Sequence, residues 1–344
     1  PPDTKVATAQ TYDGTVWTVE NSLSTARMGT AAAGTTAAGL MATGKDASAL
    51  TTVTEEFSLS TLAAGTWASG GNLNTARGAA HGTATGPATA AMAISGHPPY
   101  LTEVEEYDGS SWTEVADVNT GTSGPGTVGT QSAALKFLGG VPGGPTTVNV
   151  ETWDGSSWTE INNCNSARYN SGAAGTSTSA IAFGGTPPVG GLSEEFNGTS
   201  WAEGNDLNNA RYQMSSGGTQ TAAIGAAGYG TALDNEVETY DGSSWTEIAD
   251  CNTARYGVAC SMMESTTSGI VAGGYHTANA AEVKEWDGSA WTEVANIPTG
   301  VYDGAGTMAQ GGSNRESGLF FGGGSHTATT IEWLKAQNIK VITD

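Results

Sequence analysis

The sequence is poor in basic residues and has no long apolar run. Only 12 lysines and arginines stand against 34 aspartates and glutamates, so the formal net charge is −22. Because that charge repels phosphate backbones and anionic lipid, the composition argues against nucleic acid and bare membrane as partners. No stretch of 18 or more apolar residues occurs, so the sequence predicts no membrane insertion.

Cysteine is also scarce, which limits disulfide and metal chemistry. The chain has three cysteines, Cys164, Cys251 and Cys260, and the first two occupy the same point of a sequence repeat. Equivalent points of different repeats lie far apart in a repeat fold. We therefore predict small, buried cysteines and no disulfide framework, metal site or cofactor.

Small residues are abundant where long charged side chains are few. The chain has 50 glycines and much Thr, Ala and Ser, and only 13% of its residues are charged. Few long side chains are left to cover helix surfaces, whereas small residues suit turns and closely packed strands. The composition therefore disfavours helix and predicts an all-β fold.

One phrase recurs along the chain and consists of an aromatic residue, Asp-Gly or, in one copy, Asn-Gly, and a Trp a few residues later. Its copies are TYDGTVWT from Thr11, EYDGSSWTE from Glu106, TWDGSSWTE from Thr152, EFNGTSWAE from Glu195, TYDGSSWTE from Thr239 and EWDGSAWTE from Glu285. With one weaker copy, the closing tryptophans lie 43 to 50 residues apart, which is the period of a four-stranded propeller blade. They are Trp17, Trp67, Trp112, Trp158, Trp201, Trp245 and Trp291.

A second set of positions recurs after each Trp strand. A short turn, Asn-Thr-Ala-Arg or a near relative, places an arginine at one repeat position in five units: Arg27, Arg77, Arg168, Arg211 and Arg255. An apolar strand follows and often ends in a glycine pair, as at Gly184 and Gly185. Asp-Gly then joins the third strand to the Trp strand, and this dipeptide is a strong hairpin signal.

Each recurring residue type has a physical reason. The aromatic residue before Asp-Gly and the Trp after it supply apolar area that packs blade on blade. The glycine pairs allow a close approach that a Cβ would block. We expect the arginines to donate to carbonyls or to a recurring Glu, since an unpaired buried charge is costly. Because one unit cannot bury both of its faces alone, the units should close into a ring.

These features resemble the kelch-repeat family, whose hallmark is an apolar strand ending in Gly-Gly, then an aromatic residue and, several residues later, a Trp. Here AIAFGG ends at Gly185 and is followed by Phe196 and Trp201, and GIVAGG ends at Gly274. The resemblance covers nearly the whole chain, although the unit after Trp112 lacks the arginine. It implies an all-β, kelch-like β-propeller with four antiparallel strands per blade, and the count of units predicts that the propeller is seven-bladed.

The unit boundaries follow from the arginine position. The units are 27–67, 77–112, 122–158, 168–201, 211–245, 255–291 and 302–344, and together they form a single propeller over 1–344. Residues 6–19 resemble the outer two strands of a unit and could pair with 319–323 to close the ring. The alternative is that 327–344 completes the last blade by itself.

Enzyme sites of other propellers fit this sequence poorly. A sialidase-like Asp box has one residue between Asp and Gly, but Asp154 and Gly155 are adjacent. A galactose-oxidase-like copper site needs a Tyr, a Cys and two His, and the loops that carry histidine contain no cysteine. Glutamate pairs such as Glu105-Glu106 recur at one blade position and are better explained as frame residues. We expect no catalytic residue, with a carbohydrate-active or copper-dependent propeller enzyme as the alternative.

The loop after the second strand varies most between units, and loops on a rigid frame usually carry recognition. The candidate ligand-binding residues in these loops are His97, Tyr100, Tyr229, Tyr275, His276 and His326. Tyrosine suits shallow contact with a carbohydrate or a protein. His276 and His326 could also bind a metal weakly, although an occasional histidine in an exposed loop is the plainer explanation.

The function predicted from these features is a non-enzymatic binding or structural propeller. The near-identical repeats, rich in Gly, Thr and Ser, also resemble kelch-type structural proteins of tailed phages from aquatic hosts. That resemblance implies a virion surface or tail-fibre component, virion-bound or extracellular, whose partners are other virion proteins or a host surface glycan or protein. A homo-oligomer is compatible with this reading, and a bacterial surface adhesin is a second alternative.

Overall fold

A computed structural model describes residues 10–12, 17–19, 31–34, 38–42, 54–58, 66–78, 81–82, 88–144, 146–258, 262–308, 317–323 and 327–334. The chain divides into two compact units, Pro1–Gly65 with Lys335–Asp344, and Thr66–Leu334. The sequence predicts one propeller over the whole chain, whereas the ring described below belongs to the second unit. Arg27, Cys260 and His326 lie outside the described residues.

The described residues of the first unit form two small antiparallel sheets. Strands β1 (Gln10–Tyr12) and β2 (Trp17–Val19) pair with each other. Strands β3 (Ala31–Gly34), β4 (Ala38–Ala42) and β5 (Thr54–Ser58) form a three-stranded sheet in that order. The two strands that flank Asp-Gly in the first copy of the recurring phrase are therefore paired, as this dipeptide between two short strands predicts.

The second unit begins with β6 (Thr66–Ser69) and continues as sets of four strands, here named blades A to F. Blade A is β7 (His81–Gly82), β8 (Met92–Ile94), β9 (Val104–Tyr107) and β10 (Trp112–Val115), with a short 3-10 helix at Ala88–Ala90. Blade B is β11 (Gly126–Thr130), β12 (Ala133–Phe137), β13 (Val150–Trp153) and β14 (Trp158–Ile161). Blade C is β15 (Gly172–Thr176), β16 (Ser179–Phe183), β17 (Ser193–Phe196) and β18 (Trp201–Glu203).

The remaining three blades follow the same plan. Blade D is β19 (Ser215–Thr219), β20 (Ala222–Tyr229), β21 (Leu233–Tyr240) and β22 (Trp245–Ile248). Blade E is β23 (Met263–Ser265), β24 (Ser268–Ala272), β25 (Val283–Trp286) and β26 (Trp291–Val294). Blade F is β27 (Gly304–Met308), β28 (Ser317–Gly322) and β29 (Thr330–Leu334), with β6 as its fourth strand.

The blades are arranged as in a propeller. Blades A, B, C and F are separate four-stranded sheets, and a single parallel bridge between Gly217 and Met263 joins blades D and E into an eight-stranded sheet. The first strands contact one another in sequence from blade A to blade F and back to blade A. The described residues thus form an all-β, propeller-like arrangement of four-stranded sheets. They do not form a clear seven-bladed propeller, although the repeat count predicts seven blades.

The circle is closed by a strand that is remote in sequence. Strand β6 pairs antiparallel with β29, with Ala68 opposite Glu332. The sequence suggests residues 6–19 or 327–344 for this place, but β1 pairs with β2 and the fourth strand of blade F is β6. Trp67 therefore belongs to the last blade and not to a unit that begins at position 27.

Apolar clusters lie between successive blades. The described residues contain six such clusters, and each draws its side chains from two neighbouring blades, including F with A. The repeat tryptophans take part: Trp245 packs on Tyr240 of its own blade at 5.1 Å between ring centroids and on Phe183 of blade C at 4.6 Å. The prediction that these aromatic residues pack blade on blade is confirmed.

The Asp-Gly hairpins are stabilised by their own aspartates. Asp154 Oδ1 accepts hydrogen bonds from the backbone N–H groups of Ser156 and Ser157, both at 2.8 Å, and from the Ser156 hydroxyl. These donors lower the pKa of Asp154 to about 2. The same pattern occurs at Asp108 and Asp241, so the recurring Asp-Gly-Ser-Ser segment is a turn structure.

The repeat arginines are buried and most are paired. Arg168 Nη1 donates to Glu194 Oε1 at 2.5 Å, and Arg211 Nη1 donates to Glu238 Oε1 at 2.6 Å. The same carboxylates accept backbone N–H groups of the turn before the first strand, for example Asn165 N at 2.6 Å from Glu194. Each ion pair therefore fixes the connection from one blade to the next, as the sequence predicts for a recurring Glu.

Three blades depart from this ion pair, and in blade F the two positions hold the apolar residues Val301 and Ile331. Blade B has Thr122 at the arginine position, and Lys136 on the adjacent second strand donates to Glu151 at 3.1 Å instead. Blade E keeps Arg255 but has Lys284 at the glutamate position, and Lys284 donates to the exposed Glu293. Arg255 then donates to the carbonyls of Gly273 and Glu282, and its Nη2 has no hydrogen-bond partner among the described residues. Blade B therefore keeps a cation paired with the third-strand glutamate, whereas in blade E a lysine replaces that glutamate.

Candidate functional site

Two kinds of loop share one end of the blades. The segment before each first strand pairs with the loop after the second strand through isolated bridges: Gly78 with His97, Ser123 with Gly140, Tyr169 with Thr186, Tyr212 with Tyr229 and Tyr256 with Tyr275. The variable loops and the arginine turns therefore form one face, here called the loop face. The Asp-Gly hairpins lie at the other ends of the strands.

A row of tyrosines crosses the loop face over blades D, E and F. Ring centroids lie 5.7 Å apart for Tyr212 and Tyr229, 5.5 Å for Tyr229 and Tyr256, 5.6 Å for Tyr256 and Tyr275, and 6.1 Å for Tyr275 and Tyr302. The rings are inclined by 56° to 72°, which is the edge-to-face geometry that aromatic pairs prefer. We call these five residues the tyrosine arc, and all five are half-buried.

The residues that follow the arginine turns form a hydrogen-bonded chain on the inner side of the arc. The backbone N–H of Asn170 donates to Gly124 at 2.8 Å, that of Gln213 to Asn170 at 2.9 Å, that of Gly257 to Gln213 at 3.1 Å and that of Asp303 to Gly257 at 2.7 Å. We call these five residues the inner ring. They stand just before the first strands, which themselves contact one another in a circle.

All five residues of the inner ring have a positive φ. Asn170, Gln213 and Asp303 have φ values of 55°, 54° and 52°, and Gly124 and Gly257 have 58° and 60°. This left-handed region is uncommon for residues with a Cβ, and such strain is often found at functional sites. Five blades thus hold the same left-handed conformation at one place, and three of them hold it with a residue that has a Cβ.

The two glycines of the inner ring leave room for the polar side chains. A Cβ at Gly257 would lie 2.8 Å from Asp303 Oδ1, and a Cβ at Gly124 would collide with Asn170 Oδ1. Gln213 extends past Gly257 and donates from Nε2 to Asp303 Oδ1 at 2.7 Å. Side-chain amides and one carboxylate therefore converge on the inner ring.

Asp303 is the charged group of this site. Burial raises the pKa of Asp303 from the ordinary 3.8 to about 6. Among the described residues, no Lys, Arg or His forms an ion pair with Asp303. Burial first, and then neighbours that include Asp303, also raise the pKa of the Tyr212 and Tyr256 hydroxyls. At neutral pH the inner ring carries one negative charge beside neutral phenols.

The predicted site residues are only partly brought together. Tyr229 and Tyr275 belong to the tyrosine arc, and His276 follows Tyr275 at the outer side of blade E. His276 Nε2 lies 3.6 Å from Glu282 Oε1, and its Nδ1 lies 3.0 Å from the Thr277 hydroxyl. His276 is therefore engaged with its own loop.

His97 and Tyr100 lie on blade A. Their rings pack edge to face at 5.1 Å, and Tyr100 has a φ of 101°. The described residues contain no cluster of three or more His, Cys, Asp or Glu side chains that could hold a metal ion. Since His326 is outside the described residues, the suggested pairing of His276 with His326 stays a prediction.

The sequence analysis did not identify the inner ring or the tyrosines that precede its residues. Arg168, Arg211 and Arg255 were identified as frame residues, yet each is followed by a tyrosine: Tyr169, Tyr212 and Tyr256. Val301 precedes Tyr302 at the same repeat position. The signal that could have found the site is the residue after this tyrosine, which changes from Asn to Gln, Gly and Asp between blades while the flanking residues repeat.

The other chemically active side chains belong to the frame. Glu105, Glu151, Glu194 and Glu238 are buried and engaged in the ion pairs and turns described above. Cys164 and Cys251 are buried, and burial raises the pKa of the Cys251 thiol to about 12 and that of Cys164 still further. Among the described residues the inner ring and the tyrosine arc are therefore the best candidate for a binding site.

No protein-family model matches the chain, and no curated protein matches it either. The kelch and phage resemblances thus have no support beyond the motifs that carry them. The described residues include no helix with the length and apolar character that crossing a bilayer requires.

Proposed function

We propose that this protein is a non-enzymatic binding propeller whose loop face recognises its ligand through the tyrosine arc and the inner ring. The observation that carries the proposal is the concentration of five contacting tyrosines beside a strained ring of polar residues. Three of the five left-handed positions carry Asn, Gln or Asp, although glycine would adopt this conformation without strain. Strain at one place on a rigid frame is typical of a binding site.

The chemistry of the site favours a hydroxyl-rich ligand such as a glycan. Tyrosine offers an apolar ring edge together with a phenol that donates and accepts hydrogen bonds. Asn170, Gln213 and Asp303 add amide and carboxylate groups that can contact adjacent hydroxyls. A flat apolar patch for a large protein partner is not evident among the described residues, where Val189 is the one large hydrophobic side chain that is exposed.

The biological setting follows as part of the same proposal. The kelch-like repeats and their resemblance to phage structural proteins support a virion surface or tail-fibre component that contacts a host glycan or another virion protein. A secreted bacterial adhesin would use the same face. The formal charge of −22 supports a partner that is neutral or basic.

An array of glycans tests the proposal directly. We expect selective binding by the intact protein, and we expect Tyr229→Ala and Tyr275→Ala to weaken it at least tenfold, which corresponds to about 1.4 kcal/mol. Tyr100→Ala is the matched control, because Tyr100 lies on the loop face but packs on His97 instead of the arc. The array is read with and without calcium and copper.

Three outcomes separate the alternatives. Equal losses for Tyr100→Ala and the arc variants would show that the arc is not the recognition element. Absence of glycan binding under every condition would favour a structural role held by protein contacts. Chemical conversion of a bound sugar would overturn the non-enzymatic proposal and point to the carbohydrate-active alternative, with Asp303 as the first residue to replace.

A further inference from the structure

We infer that the inner ring binds a protonated amine, with Asp303 as its carboxylate partner and the tyrosine arc as the surrounding wall. The inference deepens the proposed function and, for sugar ligands, rests on it. It narrows the ligand from any hydroxyl-rich molecule to one that presents an ammonium group, on either an amino sugar or a lysine side chain.

The first argument is the unfinished coordination of Asp303. Its Oδ1 accepts from Gln213 Nε2, and its second carboxylate oxygen receives no hydrogen bond from a described residue. Asp303 is only partly exposed, so water cannot solvate it as it would a surface carboxylate. Burying an ionised carboxylate without a partner is costly, and an ammonium group would supply the missing charge and donors.

The second argument is the phenols near that carboxylate. Asp303 interacts electrostatically with the hydroxyls of Tyr212 and Tyr256. An ammonium has three donors and no acceptor, so it gains from a site with a carboxylate and phenol oxygens. Aromatic rings add attraction for a cation through their faces.

The third argument excludes the other charged ligands. An anion would be repelled by Asp303 and by the overall charge of −22. A divalent metal prefers several carboxylate or imidazole ligands, and the described residues contain no group of three. A neutral hydroxyl could bind here but would leave the carboxylate uncompensated, so the site should discriminate in favour of the amine.

The test compares matched ligands on the intact protein by titration calorimetry. Glucosamine is set against N-acetylglucosamine and glucose, and the amide of Nα-acetyl-lysine is set against its Nε-acetylated form. We expect at least tenfold tighter binding of the ammonium member in one or both series. The first series measures a sugar source for the ammonium and the second measures a peptide source.

Variants then locate the effect. Asp303→Asn keeps the shape and the acceptor for Gln213, and we expect it to abolish the preference for the ammonium member while circular dichroism and the melting temperature show an intact fold. Glu160→Gln is the control, since it removes the same charge from an exposed position on an outer strand. It should leave the preference unchanged.

The outcomes distinguish the two proposals. Equal affinity for glucosamine and N-acetylglucosamine, with no preference in the lysine series, would overturn the ammonium inference while leaving glycan binding intact. A preference that persists in Asp303→Asn would also overturn it. Binding of the lysine amide without binding of any glycan would support the ammonium site and overturn the glycan proposal.

Discussion

At the scale of single residues, the buried charges show what each blade tolerates. Four blades place a cation beside a glutamate of the third strand, through Arg77, Arg168, Arg211 or, in blade B, Lys136. A buried pair is worth keeping intact because removal of one partner leaves an uncompensated charge, at a cost of about 3–5 kcal/mol. Blade F has the apolar residues Val301 and Ile331 at the two positions. Blade E keeps the arginine but has a lysine in place of the glutamate, so the free energy of unfolding should respond to repair of this blade.

Replacing Lys284 with Glu should stabilise the protein. The variant gives Arg255 the carboxylate that the other blades supply, and we expect about 1–2 kcal/mol and a rise of a few degrees in the melting temperature. The new Glu would stand opposite Glu293, but Glu151 already stands opposite Glu160 and Glu194 opposite Glu203. Calorimetric melting checks the change.

Lys284→Gln is the control for this substitution. It removes the lysine without adding a carboxylate, so it should not reproduce the gain. A melting temperature of Lys284→Glu at or below that of the unmodified protein would show that Arg255 is adequately satisfied by the carbonyls of Gly273 and Glu282.

Asp303 should impose a pH dependence on stability. Its pKa is about 6 in the folded protein against an ordinary 3.8, so the folded state holds this proton more tightly than the unfolded state. The stability due to the neutral form is therefore complete below about pH 4 and is lost as the pH rises through about 6. Above pH 7 the loss is at most about 3 kcal/mol.

Asp303→Asn should remove this dependence. Denaturant unfolding of the variant and the unmodified protein should give nearly equal free energies at pH 4 and a more stable variant at pH 7.5. The neighbouring Tyr212 and Tyr256 have raised pKa values and stay neutral over this range. A difference in the free energy of unfolding that is the same at all pH values would contradict the raised pKa of Asp303. If Asp303→Asn is more stable at pH 7.5 and no longer prefers an amine, then Asp303 contributes to binding at a cost in stability.

At the scale of elements, the ring depends on the pairing of β6 with β29. The backbone N–H of Gly70 donates to the Thr330 carbonyl at 3.0 Å, and bonded positions alternate along an antiparallel ladder. Ala68 opposite Glu332 is therefore a bonded position, whereas the N–H of Ser69 points away from β29. The two adjacent residues make a matched pair for a proline test.

Ala68→Pro should destabilise the protein by about 3 kcal/mol, because proline removes a donor from the strand that closes the circle. Ser69→Pro should cost clearly less, since it leaves the ladder donors in place. Thermal melting followed by circular dichroism compares them. Equal decreases in melting temperature for the two variants would indicate that the fixed backbone angle of proline, and not the lost hydrogen bond to β29, causes the destabilisation.

At the scale of the whole molecule, the unit Thr66–Leu334 contains every strand of the circle, including β6. Each interface between successive blades has its own apolar cluster, and blade pairs are also joined by hydrogen bonds from Tyr107 to Glu332 at 2.7 Å and from Tyr240 to Glu195. Apolar contact between neighbours is the main source of stability in repeat folds.

A chain trimmed to residues 66–334 should therefore fold by itself. We expect a cooperative melting transition and the β-sheet spectrum of the longer chain. A chain trimmed further to residues 72–334 lacks β6 and is the contrasting case, for which a lower melting temperature is expected. Failure of the 66–334 chain to fold would show that the first unit contributes to the ring.

The sequence by itself determined the strands and their hairpins. The period of the tryptophans, the Asp-Gly turns and the arginine turns depend on residues close in the chain, and the aspartate hydrogen bonds at Asp108, Asp154 and Asp241 are local. The partnership of a repeat arginine with a repeat glutamate was also accessible, because an unpaired buried charge is unfavourable wherever it stands.

Only the tertiary structure decided how the circle closes and where the polar site lies. A sequence repeat says that units stack but not which remote strand completes the last one, since β6 and the rival segments have similar patterns. The inner ring joins Asn170, Gln213 and Asp303 from different blades, and the 2.7 Å bond from Gln213 to Asp303 spans ninety positions of sequence. Proximity of that kind arises from closure of the ring, because closure is what brings the starts of all first strands together.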